Sequence, residues 1–200
     1  MHTAWIWANL AVGVALMANP AVACNGKTEI FNVDLTDEDA LQGNYIEWQI
    51  GKGKATTSVA KGKIGYGTVP DDVTVSDIDL CVTFKSVREN GPNATAGLTF
   101  WEEGDLRYLA LVMTKRSTAY ITTNNNKGWK DVTKERKVPY KAGEANTLRV
   151  TLHGTDGVGY LNGQEFVKFK RKDAPDSFTV GVVVQDGDWE VTKLAGTSLE

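Results

Sequence analysis

Six side chains in the middle of the sequence have the types that sugar-binding sites use. They are Trp101, Arg107, Tyr108, Asn124, Asn125 and Trp129. An aromatic face packs against the C–H surface of a sugar, and amide or charged groups hydrogen-bond to the hydroxyls at its edge. This combination in one part of the chain predicts a carbohydrate site that includes all six residues.

Strand periodicity predicts where some of these side chains point, because successive residues in a strand face opposite sides. Trp101 is out of phase with the apolar Leu98 and Phe100, so we expect its indole on the open side of the sheet. Tyr108 is out of phase with the leucines that follow it in the same way, so we expect its ring on the open side as well. Arg107 alternates with Tyr108 and should therefore point away from that side. The alternative is that the aromatic residues close the core or pack under loops.

Alternating apolar residues with turn signals between them predict an all-β protein. In residues 147–153 the apolar side chains occupy every second position, and Asn162-Gly163 is a strong signal for a hairpin turn. Residues 178–185 read as a buried strand, 186–188 as a turn and 189–194 as a closing strand. No long segment has a helical period. The expected fold is a two-sheet antiparallel β-sandwich of the jelly-roll type.

Length and charge narrow the class of protein further. The chain has 200 residues, 42% apolar and 24% charged, which suits one globular domain over residues 24–200. With a formal net charge of -3, the chain lacks the excess of basic residues that nucleic-acid-binding proteins use, so nucleic acid is not an expected partner.

Residues 1–23 have the composition of a signal peptide. They contain no Asp, Glu, Lys or Arg, although a basic residue is usual at the start, and they end in Ala21-Val22-Ala23. We therefore expect export to the periplasm or the extracellular space, with cleavage after Ala23. The apolar run is shorter than the ~20 residues of a membrane span, so no span is expected.

The two cysteines, Cys24 and Cys81, have two explanations. Cys81 is out of phase with its apolar neighbours in the strand, so its sulfur faces away from the core and can reach a partner across the sheet. Export permits a disulfide with Cys24. Alternatively, Ala-Val-Ala before Cys24 resembles a lipobox with Ala in place of the usual Leu, which predicts a lipid anchor at Cys24.

Several stretches carry a resemblance to known families. They are AGLTFW (96–101), NNNKGW (124–129), NTLRVTLHG (146–154), YLNGQ (160–164) and VGVVVQ (180–185), together with Tyr108 and the strand that holds Trp48. In these stretches the chain resembles concanavalin-A-like and laminin-G-like jelly-roll domains, and most specifically the bacterial secreted 3-keto-disaccharide-hydrolase family. The stretches are mostly turns and core positions, which guide the fold better than the function.

The resemblance raises the question of catalysis. Glycosidases of the related jelly-roll class carry Glu-x-Asp-x-Glu, which places the carboxylates on one side of a strand as a retaining mechanism needs. Here Asp186, Asp188 and Glu190 keep the spacing, but Gly187 favours a turn. The carboxylates at Glu102, Glu103 and Asp105 lack the spacing. A solvated turn is the alternative in both cases.

Metal binding has one candidate set. Jelly-roll domains often hold a structural calcium through Asp and backbone oxygens, and Asp156, Asp186 and Asp188 are candidates for it. His153 is the single histidine after residue 23, and there is no Cys-x-x-Cys, so a zinc site is not expected. Apart from calcium, no cofactor is predicted.

These observations favour an exported carbohydrate-binding β-sandwich without catalysis of its own. Two alternatives stay open. The resemblance implies a glycoside hydrolase acting on 3-keto glycosides, and the composition also suits a structural or protein-interaction domain of the cell envelope.

Overall fold

The structure is a computed structural model that describes Cys24, residues 26–75 and residues 77–199. The predicted signal peptide lies outside the described residues. Within them, every regular element is a strand except one 3₁₀ turn at Thr114–Arg116. The strands are β1 (Glu29–Asn32), β2 (Gln42–Asn44), β3 (Gln49–Gly51), β4 (Lys54–Thr68), β5 (Val73–Thr74), β6 (Asp77–Glu89), β7 (Thr95–Glu103), β8 (Leu106–Met113), β9 (Thr118–Asn125), β10 (Gly128–Asp131), β11 (Arg136–Lys137), β12 (Asn146–His153), β13 (Asp156–Leu161), β14 (Gln164–Lys170) and β15 (Ser177–Ser198).

Two antiparallel layers share the long strands β4 and β15. The first layer has the order β10-β9-β8-β7-β15-β4-β2 and uses residues 179–185 of β15 and 64–68 of β4. The second layer has the order β14-β13-β12-β6-β15-β4-β3 and uses residues 187–198 of β15 and 54–59 of β4. The predicted all-β sandwich is therefore confirmed, and its layers are continuous through two strands.

The bend between the layers lies at Asp186. The register between β15 and β4 shifts between Gln185 and Gly187, and Asp186 has φ 52°, in the left-handed region. Its buried carboxylate accepts a hydrogen bond from the backbone N–H of Gly62 at 2.6 Å, and its carbonyl accepts one from Asn90 at 2.8 Å. The turn predicted at 186–188 is wrong, because a bulge inside one strand of 22 residues takes its place.

The space between the layers is filled as the periodicity predicts. Leu148, Val150 and Leu152 are fully buried and pack in the main cluster with alternate residues of the neighbouring strands. Asn162 and Gly163 have φ 50° and 83° between β13 and β14, which confirms the predicted hairpin turn with two positive φ angles.

Cys24 and Cys81 form a disulfide with Cα atoms 5.6 Å apart. Cys81 lies directly opposite Arg149 of β12 and Ala195 of β15 in the sheet, and its side chain is on the side of β6 that faces away from the core. Its predicted orientation is therefore confirmed. A thioether-linked lipid needs the same Cys24 sulfur, so this disulfide and a lipid anchor exclude each other. Across the described ranges, no helix has the length and apolar character needed to cross a membrane.

We predict that Asp186→Ala lowers the free energy of unfolding by about 2 kcal/mol, because the Gly62 N–H loses a charged acceptor and alanine tolerates positive φ poorly. Chemical denaturation of the purified protein measures this change. The control is Asp186→Asn, which keeps an acceptor oxygen and tolerates positive φ, and should lose less than half as much. An alanine variant as stable as the unmodified protein would contradict the role given to this bend.

Candidate functional site

The first layer carries a second apolar cluster on the side that faces away from the sandwich core. Its buried members are Tyr66, Leu109, Leu111 and Val183, with Ile64 and Tyr120 packed against them. They are out of phase with the core residues of the same strands, which is why they share the opposite face.

This face is concave. Asn124 of β9 donates from Nδ2 to the Tyr66 hydroxyl of β4 at 3.5 Å, although β8, β7 and β15 lie between the two strands. In a flat sheet, four strand intervals would separate their backbones by roughly 19 Å, more than these side chains can bridge. Gly97 and Gly181 in the intervening strands have no side chains to fill the space. The layer therefore curves around the Tyr66 ring.

An ion pair lies on the concave face. Arg107 Nη2 is 2.8 Å from Glu102 Oε1, and the guanidinium lies over the Tyr66 ring, 4.6 Å from its centroid. The side chains of Arg107 and Glu102 are 20% and 16% exposed, so each keeps contact with solvent. The pair thus offers a fixed cation and a fixed carboxylate at the surface of the curved layer.

Glu102 reaches this face because of a bulge at Trp101. Trp101 has φ 50°, and the register between β7 and β8 shifts between Phe100 and Glu103. Both Phe100 and Trp101 consequently turn into the core, and the next residue is re-aimed to the opposite side.

Burial raises the pKa of two groups on the concave face, the Glu102 carboxyl and the Tyr66 hydroxyl. Burial raises the pKa of the Glu102 carboxyl, Arg107 acts in the opposite direction, and the charge of Asp72 adds to the rise. Burial also raises the pKa of the Tyr66 hydroxyl, which keeps it a neutral hydrogen-bonding group. Among the described residues, Thr99 Oγ1 and Glu102 Oε2 are the buried side-chain oxygens without a hydrogen-bond partner. Ordered water or a ligand hydroxyl is the usual partner of such an atom.

Three of the predicted sugar-site residues form one row on this face. Arg107 pairs directly with Asn124 across β8 and β9, and Asn124 pairs with Trp129 across β9 and β10. Directly opposed residues of neighbouring strands share a face, so the three side chains are neighbours. Trp129 is 49% exposed on the edge strand, so about half of its surface is open to solvent.

The structure does not place the other three residues in that row. Trp101 is 1% exposed, and its ring centroid lies 5.4–5.8 Å from those of Phe100, Tyr108 and Phe169, so the prediction that it faces the open side is wrong. The bulge at Trp101 itself breaks the alternation on which that prediction rests. Tyr108 packs on the core side, opposite Arg107, so the prediction that it faces the open side is also wrong. The leucines with which it is out of phase, Leu109 and Leu111, belong to the apolar cluster of the concave face and not to the core. Asn125 Oδ1 accepts from Lys127 N in the hairpin turn.

The carboxylates at 186, 188 and 190 do not form a set of three. Asp186 is buried at the bend, whereas Asp188 and Glu190 lie on the outer face of the second layer. Hydrogen bonds from Ser58 and then Arg88 lower the pKa of the Asp188 carboxyl. A glycosidase general acid needs a raised pKa, so the environment of Asp188 opposes that role.

The calcium candidates are also not brought together. Asp156 pairs with Lys170 at 2.8 Å, Asp186 with the backbone of Gly62 at 2.6 Å, and Asp188 with Arg88 at 2.8 Å. Within the described part of the chain, no three His, Cys, Asp or Glu side chains are grouped so that they could hold a metal ion.

Sequence reasoning missed Tyr66, and it considered Glu102 only among the carboxylates that lack the catalytic spacing. Tyr66 lies in Gly65-Tyr66-Gly67, and both glycines are needed because Ile46 and Trp48 pack against β4 where their side chains would be. A tyrosine between two glycines in a strand was the available signal. Glu102 had none, because its orientation depends on the bulge at Trp101.

Comparison with solved structures finds this fold at low sequence identity. The carbohydrate-binding module CBM66 from Bacillus subtilis matches with a TM-score of 0.67 and 14% identity, over 79% of this chain and 95% of that one. A Bacillus subtilis protein of unknown function with a galectin-like fold matches with a TM-score of 0.68 and 8% identity, over 86% and 97%. The carbohydrate recognition domain of Emp47p matches with a TM-score of 0.61 and 16% identity, over 84% and 95%.

At these identities the likeness shows a shared lectin-like jelly-roll fold and nothing finer. No family model matches the sequence, and no curated protein matches it. The resemblance to jelly-roll domains is therefore supported, and nothing supports the resemblance to the 3-keto-disaccharide-hydrolase family.

The two tryptophans should respond oppositely to truncation. We predict that Trp101→Ala destabilises the fold by about 3–5 kcal/mol, because a fully buried ring leaves a cavity. Trp129→Ala should change the free energy of unfolding by no more than about 0.5 kcal/mol, because the ring is half exposed on an edge strand. Urea denaturation of both variants tests this, and equal losses of stability would contradict the assignment of the two faces.

Proposed function

We propose that the concave face formed by Tyr66, Glu102, Arg107, Asn124 and Trp129 binds carbohydrate without cleaving it. The observation that carries the proposal is the row Arg107–Asn124–Trp129, which ends in an exposed indole and adjoins the Glu102–Arg107 ion pair. The fold supports it, since two of the matching structures are named as a carbohydrate-binding module and a carbohydrate recognition domain.

The chemistry of these five residues suits a polyol with one apolar face. The Trp129 ring can stack on C–H groups, as aromatic rings in sugar sites do. The Arg107 guanidinium donates hydrogen bonds, the Glu102 carboxylate accepts them, and the Asn124 amide does both. A sugar hydroxyl also donates and accepts, so neighbouring hydroxyls can be satisfied by alternating groups of the five-residue site.

Binding without hydrolysis is proposed because hydrolysis by the usual routes needs two carboxyl groups flanking the scissile bond. Of the five residues of the proposed site, Glu102 alone has a carboxyl group, and it already pairs with Arg107. The raised pKa of Glu102 is the one feature that favours a hydrolase, since a general acid has such a pKa. Release of reducing sugar from a bound oligosaccharide would identify that activity.

A glycan array on the mature protein, followed by titration of the best glycan, tests the proposal. We predict that Trp129→Ala weakens binding by roughly tenfold, the size of one stacking contact, and leaves the melting temperature unchanged. Arg107→Ala should abolish measurable binding, because it removes the donor and leaves Glu102 without its cation.

The matched control is Lys130→Ala. This residue follows Trp129 on the same edge strand and points to the other face. It should bind as the unmodified protein does. Failure of the array to detect any glycan, or unchanged affinity in both site variants, would contradict the proposal.

We also propose that the protein is exported and that the mature chain begins at Cys24. The charge-free apolar start supports export, as does the disulfide, since disulfides persist in oxidising compartments. Intact mass of the protein recovered outside the cytoplasm should match residues 24–200 with one disulfide. Retention of Met1 would contradict cleavage, and a diacylglycerol mass on Cys24 would identify a lipoprotein.

A further inference from the structure

A cleft of about 880 Å³ lies on the outer face of the second layer. Its lining includes an aromatic ring and five polar side chains, namely Tyr45, Glu47, Lys54, Ser58, Asp188 and Glu190. Its volume is within the range of small-ligand sites, which is roughly 300–1,000 Å³. The cleft shares no lining residue with the concave face, because β15 passes the bend at Asp186 between the two.

Two carboxylates on one strand are held in fixed positions in this cleft. Asp188 Oδ1 accepts from Ser58 Oγ at 2.7 Å, and Asp188 Oδ2 lies 2.8 Å from Arg88 Nε. Glu190 Oε2 lies 2.7 Å from Lys54 Nζ. Because Asp188 and Glu190 are two residues apart in a strand, they lie about 7 Å from each other on the same face.

The cleft therefore presents acceptors and donors in alternation. A carboxylate can accept about four hydrogen bonds and an ammonium can donate three, so these pairs retain capacity for a ligand. Both carboxylates remain partly exposed, at 26% and 22% of their side chains. Vicinal hydroxyls can donate to a carboxylate and accept from the paired cation, which is the complement of this surface.

An exposed aromatic ring stands beside these polar groups. Tyr45 lines the cleft and is 82% exposed. Its φ of 67° is uncommon for a bulky residue, and strain of this kind is held where the surroundings or a function require it. The ring supplies stacking surface at the rim, and the Asp188 and Glu190 pairs supply hydrogen bonds at the base.

We propose that this cleft is a second ligand site, which takes a neutral polyhydroxylated ligand with a vicinal diol, such as one or two sugar units. An anionic ligand is disfavoured, because Lys54 and Arg88 balance Glu190 and Asp188 and the carboxylate of Glu47 adds a further negative charge to the lining. The site does not depend on the concave face. If both faces bind glycan, one domain can hold two chains, and a polymeric ligand would be bound more tightly than either site alone allows.

The test is titration of the ¹⁵N-labelled mature protein with glucose, galactose, mannose, fructose, sucrose and sorbitol, followed by amide chemical shifts. For at least one probe, we expect shifts in residues 56–58 and 188–190 that persist in Trp129→Ala. Glu190→Gln and Tyr45→Asn should each weaken this binding by roughly tenfold, a size typical of one contact. Asparagine removes the ring and tolerates positive φ, so the fold should be retained.

Lys61→Ala is the matched control, since Lys61 is exposed on β4 and does not line the cleft. It should leave the titration unchanged. Absence of shifts in the cleft with every probe would overturn the proposal, as would tighter binding of spermidine than of any sugar. Loss of cleft binding in Trp129→Ala would also overturn it, because the two sites would not be separate. Failure at the concave face alone would leave the cleft unaffected.

Discussion

Both layers depend on the hydrogen bond that the Gly62 N–H donates to the Asp186 carboxylate, because it fixes the bend between them. β4 and β15 each run through both layers, so a change of direction in one must be matched in the other. The bulge at Asp186 turns β15, the positive φ of Gly62 turns β4, and the buried carboxylate joins the two bends. Both surfaces proposed to bind ligands are built outward from this crossing, one in each layer.

Two β-bulges, at Asp186 in β15 and at Trp101 in β7, each contain a residue other than glycine with a positive φ. The bulge at Asp186 divides one strand between two layers. The bulge at Trp101 moves a large ring into the core and sends Glu102 to the concave face, beside Arg107. The curvature of the first layer completes the concave face, because it brings Tyr66 and Asn124 into contact from strands four positions apart. The bulge at Trp101 thus determines both a large part of the core packing and the position of Glu102 on the concave face.

Much of the fold follows from the sequence alone, because alternation and hairpin turns are local signals. Residues 147–153 and Asn162-Gly163 behave as predicted. The hairpins that bring Arg107, Asn124 and Trp129 to neighbouring positions were also accessible. The face on which Arg107 lies was not, because Leu109 and Leu111 pack in a cluster outside the sandwich core. The sequence does not reveal where the alternation of a strand is interrupted. The bulge at Asp186 is held by a hydrogen bond from Gly62, which is 124 residues away in the chain. The contact between Tyr66 and Asn124 likewise joins residues 58 positions apart.

A crystal structure of the mature protein with the glycan that it binds most tightly tests the central claim most directly. We expect electron density for a sugar ring against Trp129, with hydroxyls within hydrogen-bond distance of Arg107, Asn124 and Glu102. Sugar density confined to another surface, with the concave face occupied by water alone, would contradict the claim.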